Sequence, residues 1–551
     1  MRTSAHVSIV ALALLASAGR AFAAGYFVSP TGDDNAAGTA AAPWKTIQKA
    51  AGKVVAGDTV TVADGTYAGF LCDGKKGTAQ ARIVFKAANK WGAKITSGGA
   101  GASGEDFVQL NSCSYVTVDG FEVSGAPRSG IAILGNEDDG SDARDVIIQN
   151  NHSHHNGGNK IAGRHDGIFS GFALNLTIQD NEVHHAGEHG IYVSNAGDNP
   201  IIRRNHVYVT GKNCAQINAD LSTGGDGLIS NWLIEGNVMH ECGQLAFNLD
   251  GAIRGVMQNN LVYGSMKGGI ALFQGDGAES SHSNLIVNNT FYIPTGSRAA
   301  LQVAGGANDN VVFNNIFISQ AAGMEIQDVT GLVHDYNFVS SYDGGSASAH
   351  EAKPDPATLF TDAAAGKLTL AAASPALEAG VATLGGKSAP AVDIEGKVRP
   401  SGTAHDRGCY ETGKGGGSIP GADGGAGGGG TGGQPAPDGG VKDGGSPTTG
   451  VAGTTGGAAG TAGGGAAGSS GTNGGGAGVA GGAAGGTTGS GTVTGAAGAT
   501  SSGAAGTSGS PARDAGGGCS LGLAGHAPAG WSVIAGAAFL TALANRRRRR
   551  S

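Results

Sequence analysis

An asparagine recurs along the middle of the chain inside short β-branched runs: "IIQNNHSHH", "TIQDNEVHH", "IIRRNHVYV", "LIEGNVMHE", "VMQNNLVYG", "IVNNTFYI", "VVFNNIFIS" and "HDYNFVS". The asparagines stand at 151, 181, 205, 237, 260, 289, 315 and 337, with spacings between 22 and 32 residues. A second apolar run follows each one, such as "DGIFSG", "HGIYVSN", "AFNLD" or "GIALFQ", and no helix-length amphipathic pattern intervenes. A repeat too short to bury a core of its own must stack on its neighbours. Two or three short strands per repeat with an elastic period predict an all-β solenoid, a parallel β-helix of about a dozen coils.

Stacking at ~4.8 Å turns equivalent positions into columns along the axis. The second residue after each Asn is Ser153, Val183, Val207, Met239, Val262, Phe291, Phe317 or Val339, an almost wholly apolar column expected to point inward. The third is His154, His184, Tyr208, His240, Tyr263, Tyr292, Ile318 or Ser340, which by alternation faces outward or into a turn. The histidine-rich stretch "NNHSHHNGGNKIAGRHDGIF" at 150–169 therefore belongs to a ladder, with His154 on His184, then Tyr208, then His240. Stacked rings need no metal, and a ladder supplies neither convergent ligands nor their supporting partners by default. His154, His155, His184 and His185 accordingly read as structural rather than as zinc ligands.

Composition changes abruptly after "DRGCYE". Of 104 glycines in 551 residues, many crowd residues 413–518, which are nearly all Gly, Ala, Ser, Thr and Pro. Such a segment cannot bury enough surface to offset its chain entropy, so it reads as a flexible tether. Residues 1–23 read as a secretory signal, with Arg2, an apolar run at 7–18 and "AFA" before the expected cleavage, leaving a β-helix domain at 24–412. The chain ends in Cys519, an apolar stretch at 531–544 and five arginines. Fourteen residues give only ~21 Å of helix against ~30 Å of hydrocarbon. The order of these features in 519–551 resembles the C-terminal surface-sorting signal of myxobacterial secreted proteins. That resemblance implies an exported, cell-surface (outer-membrane-anchored) or extracellular protein, touching membrane only through this segment.

The chain carries 43 acidic against 35 basic residues, and five of the arginines lie in the last six positions. The domain itself is thus more acidic still, which disfavours nucleic acid as a partner. An acidic polysaccharide would need local basic groups or a bridging cation. The chain is expected to act as a monomer. Five of the 6 cysteines fall in the domain, with Cys72–Cys113 and Cys214–Cys242 as candidate pairs and Cys409 left over.

The segment "YFVSPTGDDNAAGTAAAPWKTIQKAAGKVVAGDTVTVADGTYAG" at 26–69 resembles the opening of secreted right-handed parallel β-helix proteins, among them chondroitinase B-like and pectate-lyase-type polysaccharide lyases. "VDIEGKVRPSGTAHDRGCYE" at 392–411 is similar to the closing segment of the same group. Right-handedness is implied by this resemblance. A short helix from Pro43, with Ile47, Ala51 and Val54 on one face, is expected to cover the open first coil. "GDTVTVADGTY" would then form the first strand and turn.

Insertions in a solenoid tend to lie on one face, often the binding face. The longest follows Asn151, at 156–167, and holds Lys160, Arg164, His165 and Asp166; two others lie at 220–227 and 274–283. In the second strand the outward column is read as Phe169, Tyr192, Asn218, Asn248, Ala271, followed by Ser194, Asp220, Asp250, Phe273. That alignment sets Asp220 against Asp250, with Asp226 and the two asparagines nearby, an oxygen-rich group that suits calcium. Ordinary Asx turns are the competing explanation. β-Elimination from a uronate needs a charge stabiliser, a base and an acid. Calcium or Arg164 could supply the first, Lys212, His165 or His189 the second and Tyr192 the third, with Lys160, Asn218 and Asn248 holding the sugar. A glycosidase would draw two carboxyls from Asp166, Glu188, Asp220 and Asp250. The leading expectation is a polysaccharide lyase; the alternatives are a non-catalytic glycan-binding, adhesive or structural surface module and, third, a hydrolase.

Overall fold

Each repeat folds into one coil of three short strands, and equivalent strands of successive coils pair in parallel. The structure, a computed structural model, describes residues 23–98, 105–136, 143–158, 165–195, 197–264 and 266–413. The expected signal, apart from residue 23, the expected tether from 414 and the expected sorting segment lie outside them. Among the described residues the three sheets hold 12, 11 and 11 strands. Sheet 1 takes the strand before each ladder asparagine, such as Ile147–Gln149 and Thr177–Gln179. Sheet 2 takes the strand after it, such as His152–His154, Glu182–His184 and His206–Tyr208. Sheet 3 holds Ile168–Gly171, Ile191–Ser194, Ala215–Asn218 and Leu245–Asp250. The fold is the expected right-handed parallel β-helix.

The inward column is as read from the repeats: Ser153, Val183, Val207, Met239, Val262, Phe291, Phe317 and Val339 are all buried. The outward column stacks ring on ring. Centroids lie 5.1 Å apart for His154–His184, 4.7 Å for His184–Tyr208, 4.9 Å for Tyr208–His240 and 4.9 Å for His240–Tyr263, with interplanar angles of 22° or less. On either side of the sheet 2 strand the backbone turns through left-handed residues, Asn150, Asp180 and Arg204 before it and His155, His185 and Val209 after it.

The asparagines solve the polar problem of these corners. Each Nδ2 donates to the Oδ1 of the next coil's asparagine, from Asn151 to Asn181 at 3.2 Å and onward through 205, 237, 260, 289 and 315 to Asn337. The same Oδ1 accepts the backbone N–H of the preceding asparagine, and Nδ2 also donates to a carbonyl of the preceding coil, as Asn205 does to Ile178 at 2.9 Å. Buried backbone groups thereby keep partners. The row starts where the Phe121 N–H donates to Asn151 Oδ1 at 3.0 Å. It stops where Asn337 Nδ2 donates to the Glu351 carboxylate at 2.7 Å.

The capping helix is Ile47–Lys53, with Thr46 accepting the Lys49 N–H at 3.1 Å and Ile47, Ala50, Ala51 and Val54 buried. It begins later than Pro43, whose carbonyl accepts from Asp33 N–H while Trp44 stacks on Tyr26 at 4.7 Å. The first strand is Gly25–Val28, which pairs with Thr59–Val62, so "GDTVTVADGTY" forms the second coil edge rather than the first. An uncovered Thr59–Val62 would present an open sheet edge, and the preceding strand closes it.

The C-terminal part of the domain folds back over the flank of the last coils. Leu359, Phe360, Leu368, Leu377 and Cys409 form a second core with Leu261, Ile316, Ile318 and Phe338. The column just after the asparagines reflects this: His152, Glu182 and His206 where it is uncovered, then Leu261, Thr290, Ile316 and Phe338 where it is covered. Anchors include Asn259 donating to the Val392 carbonyl at 2.8 Å and a buried Arg399–Glu411 ion pair at 2.6 Å. Cys214 and Cys242 form the expected disulfide. Cys72 and Cys113, also a candidate pair, are instead buried thiols with Sγ atoms 3.1 Å apart, joined by a hydrogen bond.

Candidate active site

Where the chain passes from sheet 2 into sheet 3, two residue columns precede the strands. The pairing Ile168↔Ile191↔Ala215 brings Asp166, His189 and Asn213 into one column and His165, Glu188 and Lys212 into the other. Backbone hydrogen bonds continue the ladder through them, from Glu188 N–H to the His165 carbonyl at 2.8 Å and from Lys212 N–H to the Glu188 carbonyl at 2.7 Å. Gly167 and Gly190 follow directly. A Cβ on Gly167 would lie 2.3 Å from Val183 Cγ1, and one on Gly190 would lie 2.6 Å from the Cys214 carbonyl oxygen. Only glycine permits so close an approach, and it fixes the residues just before it.

Asp166 is fully buried, and its Oδ1 accepts from the His189 backbone N–H at 3.3 Å and lies 3.1 Å from His189 Nδ1. Its Oδ2 is buried and has no hydrogen-bond partner among the described residues. The His189 ring is nearly buried and its centroid lies 5.0 Å from that of Tyr192, which meets Phe169 edge to face at 5.4 Å. In the neighbouring column Lys212 Nζ is 2.8 Å from Glu188 Oε1, and His165 Nδ1 is 3.9 Å from the same oxygen. A carboxylate on Nδ1–H fixes the imidazole tautomer and leaves Nε2 with the lone pair. The set thus offers an oriented base, a phenol and an ammonium on adjacent coils.

His165, His189, Tyr192 and Lys212 are brought together as candidates for one site, whereas Arg164 and Lys160 lie outside the described residues. Asp166 and Glu188, read from the sequence as two of four carboxyls that could supply a glycosidase pair, organise the cluster. Sequence reasoning missed a second cation on the same columns: Arg128, held by Glu105 at 3.0 Å and Asp106 at 2.6 Å. Its signal was register, since Val108↔Ile131↔Ile168 aligns Asp106 and Asp166.

The expected calcium group does not assemble. Asp250 pairs with Asn218, and Asn248 with Gln216, so Asp220 does not stack on Asp250. A slip of two residues preserves the alternation of inward and outward side chains, and apolar pattern alone cannot detect it. Asp220 instead caps the turn Leu221–Thr223, accepting from Ser222 N–H at 2.9 Å, and Asp226 accepts from Leu228 N–H at 3.0 Å. Asp250 accepts the N–H groups of Gly275 and Asp276 at 2.8 and 2.6 Å; burial nevertheless pushes its carboxyl above the usual range, against the pull of those donors. Oxygens aimed at N–H groups suit Asx turns and do not fit a calcium cage. Asn218 is buried at its strand end, and Asn248 is half-buried in the column of Tyr192.

Among the described residues no helix is long and apolar enough to cross a membrane. Residues 92–223 match the family described as right-handed beta helix region, and residues 30–73 match a family described as protein of unknown function, DUF1565. No curated protein matches the sequence. Similar solved structures include a pectate lyase, 17% identical with a TM-score of 0.47 over 70% of this chain and 96% of that one. An alginate lyase from a Paenibacillus species is 16% identical, with a TM-score of 0.34 over 55% and 96%. The A-module of an Azotobacter vinelandii mannuronan C-5 epimerase is 12% identical, with a TM-score of 0.37 over 56% and 93%. The matched region lies inside a solenoid running from Gly25–Val28 to Tyr342–Asp343, and the chain folds as a right-handed parallel β-helix.

Proposed function

We infer that the protein is an exported, surface-tethered β-helix that binds an acidic polysaccharide and cleaves it by β-elimination at the entry to sheet 3. The observation that carries this reading is the buried Asp166 carboxylate on His189 Nδ1, with the Tyr192 ring beside it. In this mechanism His189 Nε2 removes the proton from the carbon next to the uronate carboxylate. Lys212, held by Glu188, attracts the negative charge that develops there. The bond to the leaving oxygen breaks as the carbon–carbon double bond forms, and Tyr192 donates its proton to that oxygen. No step is assigned to calcium. One observation favours a hydrolase as the second reading: Asp166 and Glu188 have ligand atoms within 4.8 Å, nearer to the ~5 Å carboxyl separation of retaining glycosidases than to the wider inverting one.

The test is incubation with pectate, alginate and glycosaminoglycans, with calcium or with chelator, following ultraviolet absorbance of a new double bond alongside reducing ends. Both signals rising together, and surviving chelation, is the expected result. Reducing ends without absorbance would establish the hydrolase. Neither signal, from folded protein over the whole panel, would leave a binding module.

A further inference from the structure

The open half of sheet 2 carries a histidine grid that the proposed cleavage does not use. Two successive coils present His152, His154 and His155, then Glu182, His184 and His185, in the register His152↔Glu182 and His154↔His184. Their ring nitrogens meet in pairs: His154 Nδ1 and His155 Nδ1 at 2.8 Å, His184 Nδ1 and His185 Nδ1 at 2.7 Å, His152 Nε2 and His184 Nε2 at 2.8 Å. Each contact needs one proton and one lone pair, so both rings of a pair cannot be cationic. The return of the C-terminal segment, which covers the same column from Leu261 onward, leaves these rings uncovered, with His155 and His185 exposed.

We propose that His155, His184 and His185 bind one divalent first-row transition-metal ion, zinc, copper or nickel. Their ligand atoms lie within 4.8 Å of one another. A tetrahedral ion with bonds of ~2.0–2.1 Å holds its ligand atoms about 3.3 Å apart; the rings of His155 and His185 are stacked at 4.5 Å with planes 9° apart, so one of the two must turn out of the stack to aim its lone pair at the ion. An all-imidazole set selects such ions over calcium or magnesium. Two carboxylates stand beside it: Glu182, with a ligand atom within 4.8 Å of one on His184, and Glu122, 3.6 Å from His154 Nε2, whose Nδ1 in turn meets His155 Nδ1. Three protein ligands leave a coordination position free, and His155 and His185 line a shallow groove with Gly158, Gly187 and Gly211 that this position can face. The columns of His165 and Lys212 begin beside that groove, so a ligand held on the metal would extend toward them.

The experiment titrates full-length protein without an affinity tag with zinc by calorimetry, and with copper(II) by electron paramagnetic resonance. One ion per chain and a copper spectrum split by several nitrogens are expected. His155→Gln with His185→Gln should weaken binding at least tenfold, while His240→Gln, farther along the same stack, should leave it unchanged; circular dichroism verifies that each variant is folded. Equal binding by the double variant and the parent, or a copper spectrum without nitrogen splitting, would overturn the assignment. Neither readout depends on polysaccharide cleavage, so the two proposals fail separately.

Discussion

His189 and Asp166 sit on adjacent coils with Nδ1 and Oδ1 3.1 Å apart, and both side chains are almost fully shielded from solvent. If this pair sets the tautomer of the base, Asp166→Asn should cost about 100-fold or more in kcat while leaving the circular dichroism spectrum and substrate affinity near their original values. A proportionate loss of KM and kcat with lowered stability would indicate a purely structural pair.

Lys212 and Glu188 predict a different kinetic signature. Lys212→Gln removes the ammonium that meets both the uronate charge and the charge developing in the transition state, so kcat/KM for a uronate polymer should fall at least tenfold, mostly through kcat, and its dependence on salt should flatten. Initial rates over a range of ionic strength decide this.

Asn237 gives the clearest stability prediction. It donates to the Ile202 carbonyl at 2.9 Å and to Asn260 Oδ1 at 2.9 Å, and accepts from Asn205, all out of solvent. Asn237→Ala strands several buried groups at once and should cost about 3 kcal/mol, read as a lower urea midpoint.

Acid should loosen the histidine face. His184 is pushed down to about 4 from 6.5, by burial first and then by the charges of His152, His154 and His185. The folded state therefore binds fewer protons than the unfolded chain, so stability is full above pH 6.5, declines as pH falls toward 4 and levels off below. Melting temperatures across that range should follow this course, with a shallower slope in His184→Gln.

The flank segment depends on Arg399 and Glu411, whose side chains are 0% and 1% exposed. Glu411→Gln leaves the guanidinium buried without its counter-charge and should cost about 3–5 kcal/mol. Partial proteolysis should then release the segment beyond Leu359 before the coils unfold.

The solenoid and its columns were legible because every coil repeats the same test of inward and outward side chains: eight asparagines, eight inward residues and the His154–Tyr263 stack all fall where the spacing puts them. What was illegible was register in the one coil where "AQINAD" could slide by two without exposing an apolar residue, and the supposed Asp220–Asp250 group depended on it. The covered flank was hidden for another reason. Leu261, Ile316 and Phe338 look like ordinary strand residues until the segment from Pro356 is seen lying on them. Within the candidate site the residue types could be named, but the Asp166–His189 partnership required knowing which coils are adjacent.

Because every amide in the asparagine row donates in the same direction, the row is polarised, and each dipole reinforces the next. Such a chain could in principle be extended by any further coil offering one more amide. Here it is punctuated: Glu351, an acceptor with no donor to pass on, takes the last Nδ2 hydrogen, while Ser348, His334 and Tyr342 occupy the rest of its carboxylate. The molecule thus counts its own rungs. A second copy arriving at that end would find a terminated sequence of hydrogen bonds, not a template, and replacing Glu351 would erase the stop.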